Sequence, residues 1–184
     1  MSTADHKQIT SIAFWPQTAY CWFELILKIV LIFGGIGAVM QYLDIKHENR
    51  VKQTMEQLIR FNSDKLLNAQ LNLNSAWEPH YKIIRIINKQ TVESEFVKAQ
   101  IQAKLIFPVI NQNKLQQDID LLINFFENLH VCIQHSICDS EVSHDLFSGY
   151  ATYFFDLHRP WIELRREVIP RYACHLQAFV RSVC

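Results

Sequence analysis

The chain has 184 residues, with 18 lysines and arginines balanced by 18 acidic residues, so its formal net charge is zero. Because 49% of the residues are hydrophobic and 12% are aromatic, an intrinsically disordered chain is excluded, and the balanced charge gives no support for nucleic-acid binding. The four glycines and five prolines are few for the tight turns of a sandwich or barrel, so the composition predicts an all-α fold of long helices.

The strongest single signal is an apolar stretch over residues 20–43, which carries Glu24 and Lys28 near its beginning. As a helix, a stretch of this length exceeds the hydrocarbon core of a bilayer, which is about 30 Å thick. Glycines at Gly34, Gly35 and Gly37 are better tolerated in a lipid-embedded helix than in a soluble one. The stretch therefore predicts a single transmembrane helix that is retained as an anchor.

Four residues of this helix are candidate contacts. Glu24 and Lys28 lie four positions apart and share a helical face. Snorkelling at the bilayer edge and a polar contact between subunits both remain open for this pair. Gly34 and Ala38 form a small-xxx-small pattern, which permits close approach of two membrane helices. The sequence thus predicts a homo-oligomer in the lipid bilayer.

The flanking positive charges predict the orientation, since cytoplasmic flanks carry the excess of lysine and arginine. Only Lys7 precedes the apolar stretch, and the residues that follow it include Lys46, Arg50, Lys52 and Arg60. We therefore expect residues 1–19 to be extracytoplasmic, residues 20–43 to span a bacterial inner membrane, and the remainder to lie in the cytoplasm.

Beyond the membrane, the pattern predicts a membrane-proximal helix over residues 44–79 and a helical bundle over residues 80–184. The membrane-proximal helix is expected to leave the membrane as one long helix. A break is expected in the asparagine-rich stretch 68–74, because asparagine favours turns. A short helix is predicted from Tyr81 to Ile87, and Thr91 is a candidate N-cap for the next one.

The clearest helix is apolar on nearly all sides, which predicts a place at the centre of the bundle. It has an apolar seam with alternating steps of four and three residues. The seam consists of Leu115, Ile119, Leu122, Phe126, Leu129 and Ile133. After a cap at Asp139, a second apolar stripe predicts a helix that packs back on the first as a hairpin. That stripe consists of Val142, Leu146, Tyr150, Tyr153, Phe154 and Leu157. Pro160 is expected to kink or restart this helix, and Pro170 to end it.

Residues 122–129, 136–141 and 160–166 resemble a widespread bacterial family of unknown function. Its members have one N-terminal membrane helix and a cytoplasmic helical domain with an L-N-x-x-E helix, a G-x-x-D turn and a final P-x-x-x-x-R helix. The matching positions here are Leu122, Asn124, Glu127, Asp139, Pro160 and Arg165. Ser136 stands where the pattern has glycine. The resemblance implies a fold and structural roles for these residues, and it implies no activity.

In size and layout the chain also resembles, more distantly, the membrane accessory proteins of type VI-B CRISPR systems, which act as oligomeric pores in antiviral defence. Those proteins have been compared with HEPN ribonucleases, whose signature is an arginine and a histidine separated by four to six residues on one helix. Arg171 and His175 are one residue too close for this signature. His130 has the right spacing from Asn124, but the signature requires an arginine at that position. A degenerate HEPN-like ribonuclease that uses His130, Arg171 and His175 is therefore the alternative to a non-enzymatic protein.

One group of cysteines and histidines has the side chains that bind zinc. Cys132, His135, Cys138 and His144 lie close in sequence, but their spacing matches no closed zinc site, so buried thiols and solvated histidines are expected. The odd total of five cysteines at irregular spacing predicts no disulfide framework.

Glu127 lies beside the apolar seam, where a carboxylate needs a partner. The prediction is a fold-specifying ion pair with Arg165 or Arg159, and the alternative is an acid–base residue with a shifted pKa.

The sequence as a whole predicts a non-enzymatic membrane protein that self-associates through its membrane and bundle helices. A sensor, a scaffold, a pore-forming effector in antiviral or stress defence, and an anchor that recruits a protein partner on the cytoplasmic side all remain open. No motif for a cofactor, a phosphate loop or a nucleophile is present in the sequence, so no cofactor is expected.

Overall fold

A computed structural model describes the backbone of residues 17–89 and 95–182. Within these ranges the chain is helical and has no strand, which confirms the all-α prediction. The helices are α1 (Gln17–Phe61), α2 (Asp64–Trp77), α3 (Tyr81–Lys89), α4 (Glu95–Gln112), α5 (Gln116–Gln134), α6 (Ser140–Val168) and α7 (Cys174–Arg181), with a 3-10 turn at Glu78–His80 between α2 and α3. Thr91, the predicted cap of α4, lies outside the described residues.

The chain divides into two compact units, Met1–Lys46 and His47–Cys184. The described part of the first unit is the N-terminal portion of α1, which contains the predicted membrane segment. The second unit contains the rest of α1 together with α2 to α7. Most of the predicted membrane-proximal helix, from His47 onward, therefore belongs to the same unit as the predicted bundle.

The break in the membrane-proximal helix does not lie where the sequence predicted it. α1 ends at Phe61 and α2 begins at Asp64, whereas the asparagine-rich stretch 68–74 is helical. Ser63 takes the extended N-cap conformation, and Asp64 places a negative charge in the first turn, which favours a helix start. The apolar face of α2 is buried at helical spacing, so packing overrides the turn preference of asparagine. That face consists of Leu66, Ala69, Leu73 and Trp77.

The seam of α5 is the centre of the second unit, as predicted. Leu115, which immediately precedes α5, and four further seam residues are buried, while Ile133 is partly buried and packs on the core. The ring of Phe126 is fully buried and lies within 6.3 Å of the rings of Phe61, Phe125, Tyr150, Phe154 and Phe179. This aromatic cluster joins α1, α5, α6 and α7 around one point.

The helix α6 is confirmed, but the apolar stripe predicted for it is partly wrong. Leu146 and Tyr153 are exposed, and Ser143, Phe147 and Ala151 are buried in the face that packs inward. Of the two outcomes predicted at Pro160, a restart is wrong, because α6 continues through this buried proline to Val168, and a kink stays a prediction. α6 ends two residues before Pro170, as predicted.

Candidate functional site

Three histidines approach one another where α5, α6 and α7 meet. The rings of His130 on α5 and His175 on α7 have centroids 5.6 Å apart. His144 on α6 stacks on the ring of Phe179 at 4.6 Å, and its Nε2 lies 3.3 Å from the hydroxyl of Ser182. The structure therefore brings together two of the three residues of the degenerate-nuclease hypothesis. The third, Arg171, has an exposed side chain in the turn before α7.

Burial makes two of these histidines less basic than usual. The pKa of His130 is lowered mainly by desolvation and further by the charges of His175 and His144. The pKa of His144 is also lowered by desolvation, against an opposing effect of Asp145. Both rings are therefore neutral at pH 7. A neutral imidazole beside a second histidine has the proton-accepting capacity of a general base.

Glu127 has a different partner from the predicted one. Its Oε1 accepts a hydrogen bond from the backbone N–H of His175 at 3.3 Å, near the start of α7. Neither predicted ion pair forms: Arg165 lies 3.6 Å from Asp120, and Arg159 lies 3.1 Å from Glu163. Since the first N–H groups of a helix have no partner within the helix, Glu127 attaches α7 to α5 and supports the histidine pair.

The last family-motif element also packs against the α6–α7 turn. The Arg165 guanidinium lies over the rings of Trp161 and Tyr172 at 5.7 and 5.6 Å. Tyr172 donates a hydrogen bond to Asp120, which also forms an ion pair with Arg165. Of the remaining motif positions, Leu122 and Pro160 are buried and Asn124 is exposed. Most of the motif side chains thus have packing or capping contacts.

Asp139 caps α6 and also contacts the second-unit part of α1. Its carboxylate accepts a hydrogen bond from the N–H of Val142 at 3.1 Å, which confirms the predicted cap, and lies 3.4 Å from Nδ1 of His47. Its own N–H donates to the hydroxyl of the fully buried Thr54 at 2.9 Å. The roles of His47 and Thr54 were not predicted, because more than eighty residues separate each of them from Asp139.

Replacing Thr54 with valine is expected to destabilise the second unit by about 1–3 kcal/mol. Valine has nearly the same shape but leaves the buried N–H of Asp139 without an acceptor. Urea unfolding of the full-length protein in detergent, followed by circular dichroism, measures the change. Thr152→Val, at a partly buried threonine of α6, is the matched control, and an equal loss in both variants would contradict the proposed role of Thr54.

The prediction of unpaired thiols at Cys132 and Cys138 is wrong. The two residues are joined by a disulfide across the turn after α5, with Cα atoms 5.2 Å apart. Sulfurs bonded to each other are not thiolate ligands, so the bridged cysteines do not have the form in which cysteine binds zinc. The other two members are separated, since His135 is exposed at the end of α5 and His144 lies on α6.

The residues predicted to contact other membrane helices are all exposed on α1. Glu24 and Lys28 form an ion pair with 2.6 Å between carboxylate oxygen and ammonium nitrogen. A Cβ atom built at Gly34 would meet nothing within 4 Å. The helix from Trp22 contains a window with mean hydropathy 2.1 and no buried residue, so it is long and apolar enough to cross a membrane, although a signal sequence has the same properties.

Comparison with known proteins identifies a family for this chain. The family DUF4760, described as a domain of unknown function, matches residues 29–183. No curated protein and no solved structure matches the chain. The matched region includes most of the apolar segment of α1 and all of the second unit except its last residue.

Proposed function

This chain belongs to DUF4760, a family defined by a domain of unknown function, and we propose that it is a single-pass membrane protein whose helical domain acts by self-association. The observation that carries the proposal is the first part of α1, where apolar side chains from Trp22 to Leu43 are exposed along one helix. Burial of each large apolar side chain contributes about 1.5–3 kcal/mol. Such a surface requires lipid or a partner to cover it.

The test of the anchor is extraction of the full-length protein from bacterial membranes. Alkaline carbonate is expected to leave the protein in the pellet, and a mild detergent is expected to release it. Release by carbonate alone would contradict a membrane span. Accessibility of single introduced cysteines on either side of the segment to an impermeant reagent would test the inner-membrane orientation, with the C-terminal domain in the cytoplasm.

Self-association is supported by the small-residue face of the same helix. Gly34, Gly35 and Gly37 have open surroundings in the chain, and Gly34 with Ala38 provides the spacing at which two helix backbones approach closely. The native mass in detergent, corrected for bound detergent, is expected to exceed that of one chain. A monomer at every protein concentration would contradict self-association.

Substitution of Gly34 by leucine is expected to lower the native mass toward that of a monomer, because a large side chain prevents close backbone approach. Gly149→Leu is the matched control, since Gly149 on α6 has equally open surroundings. A similar loss of mass in both variants, or in neither, would contradict a contact through the Gly34 face.

A discrete ring-sized oligomer would favour a pore-forming effector in antiviral or stress defence, which the resemblance in layout to the type VI-B CRISPR accessory proteins implies. A single helix cannot line a channel, so a pore requires several copies. Smaller assemblies would favour a sensor or scaffold that recruits a protein partner on the cytoplasmic side.

The approach of His130 to His175 favours a second candidate function, a membrane-tethered hydrolase of HEPN-like ribonuclease type. Ribonuclease activity that is lost in His130→Ala, His175→Ala and Arg171→Ala, but kept in the exposed-site control His135→Ala, would support it. Cleavage of RNA that survives all four substitutions, or no cleavage by the wild-type protein, would contradict it.

A further inference from the structure

We propose that the Cys132–Cys138 disulfide is a reversible redox switch that controls how the segment His47–Phe61 of α1 docks on the α5–α6 turn. The juxtaposition that carries the proposal is the position of the bridge immediately before Asp139, the residue that contacts both His47 and Thr54. This inference does not require self-association, but its reversibility rests on the cytoplasmic placement of the helical domain in the proposed function.

The bridge closes a turn in which one residue has a disfavoured backbone conformation. The N–H groups of Ile137 and Cys138 both donate to the carbonyl oxygen of Cys132, at 3.0 and 3.1 Å. Ser136 has φ 55°, a left-handed conformation that a non-glycine residue adopts at a cost. The turn therefore has two backbone hydrogen bonds but one residue in a disfavoured conformation, and the cross-link stabilises it by restricting the conformations of the open chain.

The same turn fixes the contacts to α1. Cys138 is almost fully buried and is bonded through its backbone to Asp139. The N–H of Asp139 donates to the Thr54 hydroxyl at 2.9 Å, and that hydroxyl in turn donates to the carbonyl oxygen of Arg50 at 3.0 Å. The second bond lies within α1, so only the bond from Asp139 to the buried Thr54 depends on the turn holding Asp139 against α1.

The predicted cytoplasmic location of the domain is the reason to expect that the disulfide forms and breaks reversibly. The positive charges after the apolar segment predict a cytoplasmic domain, and disulfides in that compartment are usually transient and serve redox sensing or catalysis. Reduction adds two electrons and two protons from two molecules of a small thiol. The sulfur–sulfur bond breaks, two thiols form, and the reductant becomes its own disulfide.

The test is hydrogen exchange of the full-length protein in detergent, equilibrated with reduced and oxidised glutathione at set ratios. Peptide mass spectrometry gives the fraction of bridged Cys132–Cys138 in each sample. The cross-link closes a loop between residues six positions apart, so its loss is expected to raise the opening constant of the turn by about 50-fold. The hydrogen-exchange rates at Asp139 and across residues 47–61 should both rise as the bridged fraction falls.

Two variants make the result decisive. The double variant Cys132→Ser, Cys138→Ser should exchange like the reduced protein at every glutathione ratio, and Cys174→Ser, at a cysteine outside the bridge, should respond like the wild type. The proposal is overturned if the bridge does not form, or if glutathione at cytoplasmic ratios cannot reduce it. Reduction without faster exchange at residues 47–61 would also overturn it.

Discussion

Acidification from pH 7 to about pH 4 is expected to destabilise the second unit by about 3 kcal/mol through His158 alone. This residue of α6 is buried, its Nδ1–H donates to the carbonyl oxygen of Phe154 at 2.8 Å, and its Nε2 accepts from the indole N–H of Trp77 at 3.3 Å. Because Nε2 accepts, the bonded ring is neutral. Burial lowers its pKa from 6.5 to about 4, and each unit of difference between the folded and unfolded pKa is worth about 1.4 kcal/mol.

The direction of the change in stability with pH follows from whether the folded or the unfolded chain binds the proton more readily. The unfolded chain takes up a proton near pH 6.5, whereas the folded chain resists uptake until about pH 4. The stability that His158 contributes is therefore fully present above pH 6.5 and is lost as the pH falls toward 4. His130 and His144 act in the same direction, since the pKa of each is also lowered.

Urea unfolding at half-unit pH intervals between 7.5 and 4, followed by circular dichroism in detergent, measures this loss. In His158→Gln the amide retains one donor and one acceptor but does not titrate in this range. The free energy of unfolding should therefore depend less on pH than in the wild type. His135→Gln, at an exposed histidine, should keep the wild-type slope. An unchanged slope in His158→Gln would rule out His158 as the source.

Much of the fold could be predicted from local patterns in the sequence. The seam through Leu122 and Phe126 predicts a central helix because apolar residues at steps of three and four share one helical face, and both residues are fully buried. Asp139 was predicted as a cap because aspartate is a preferred N-cap residue, and its side chain accepts from the N–H three residues later. The apolar segment of α1 was found in the same way, from composition and length.

The contacts of the candidate sites depend on residues far apart in the chain, so no local pattern reveals them. Trp77 and His158 are 81 positions apart, and Glu127 and His175 are 48 positions apart. Glu127 was expected to pair with an arginine on charge alone, but a helix N-terminus also offers donors to a carboxylate. The disulfide was also not predicted, because the odd number of cysteines does not indicate which two a turn brings together.

Truncation of Phe126 to alanine is expected to destabilise the second unit by about 3–5 kcal/mol. The side chain is fully buried and lies among five aromatic rings contributed by α1, α5, α6 and α7. Removing it loses the transfer free energy of the ring and leaves a cavity that rings on four helices cannot easily fill. The midpoint of urea unfolding of the full-length protein in detergent measures the loss.

Phe33→Ala is the matched control because it removes the same atoms from the other unit. Phe33 is 70% exposed in the apolar part of α1, so its side chain makes little contact within the chain and its removal should leave the unfolding midpoint nearly unchanged. If Phe126→Ala cost less than about 1 kcal/mol, a surface-like value, the aromatic cluster would not be the core of the unit. If Phe33→Ala cost as much as Phe126→Ala, the two units would not be energetically separate.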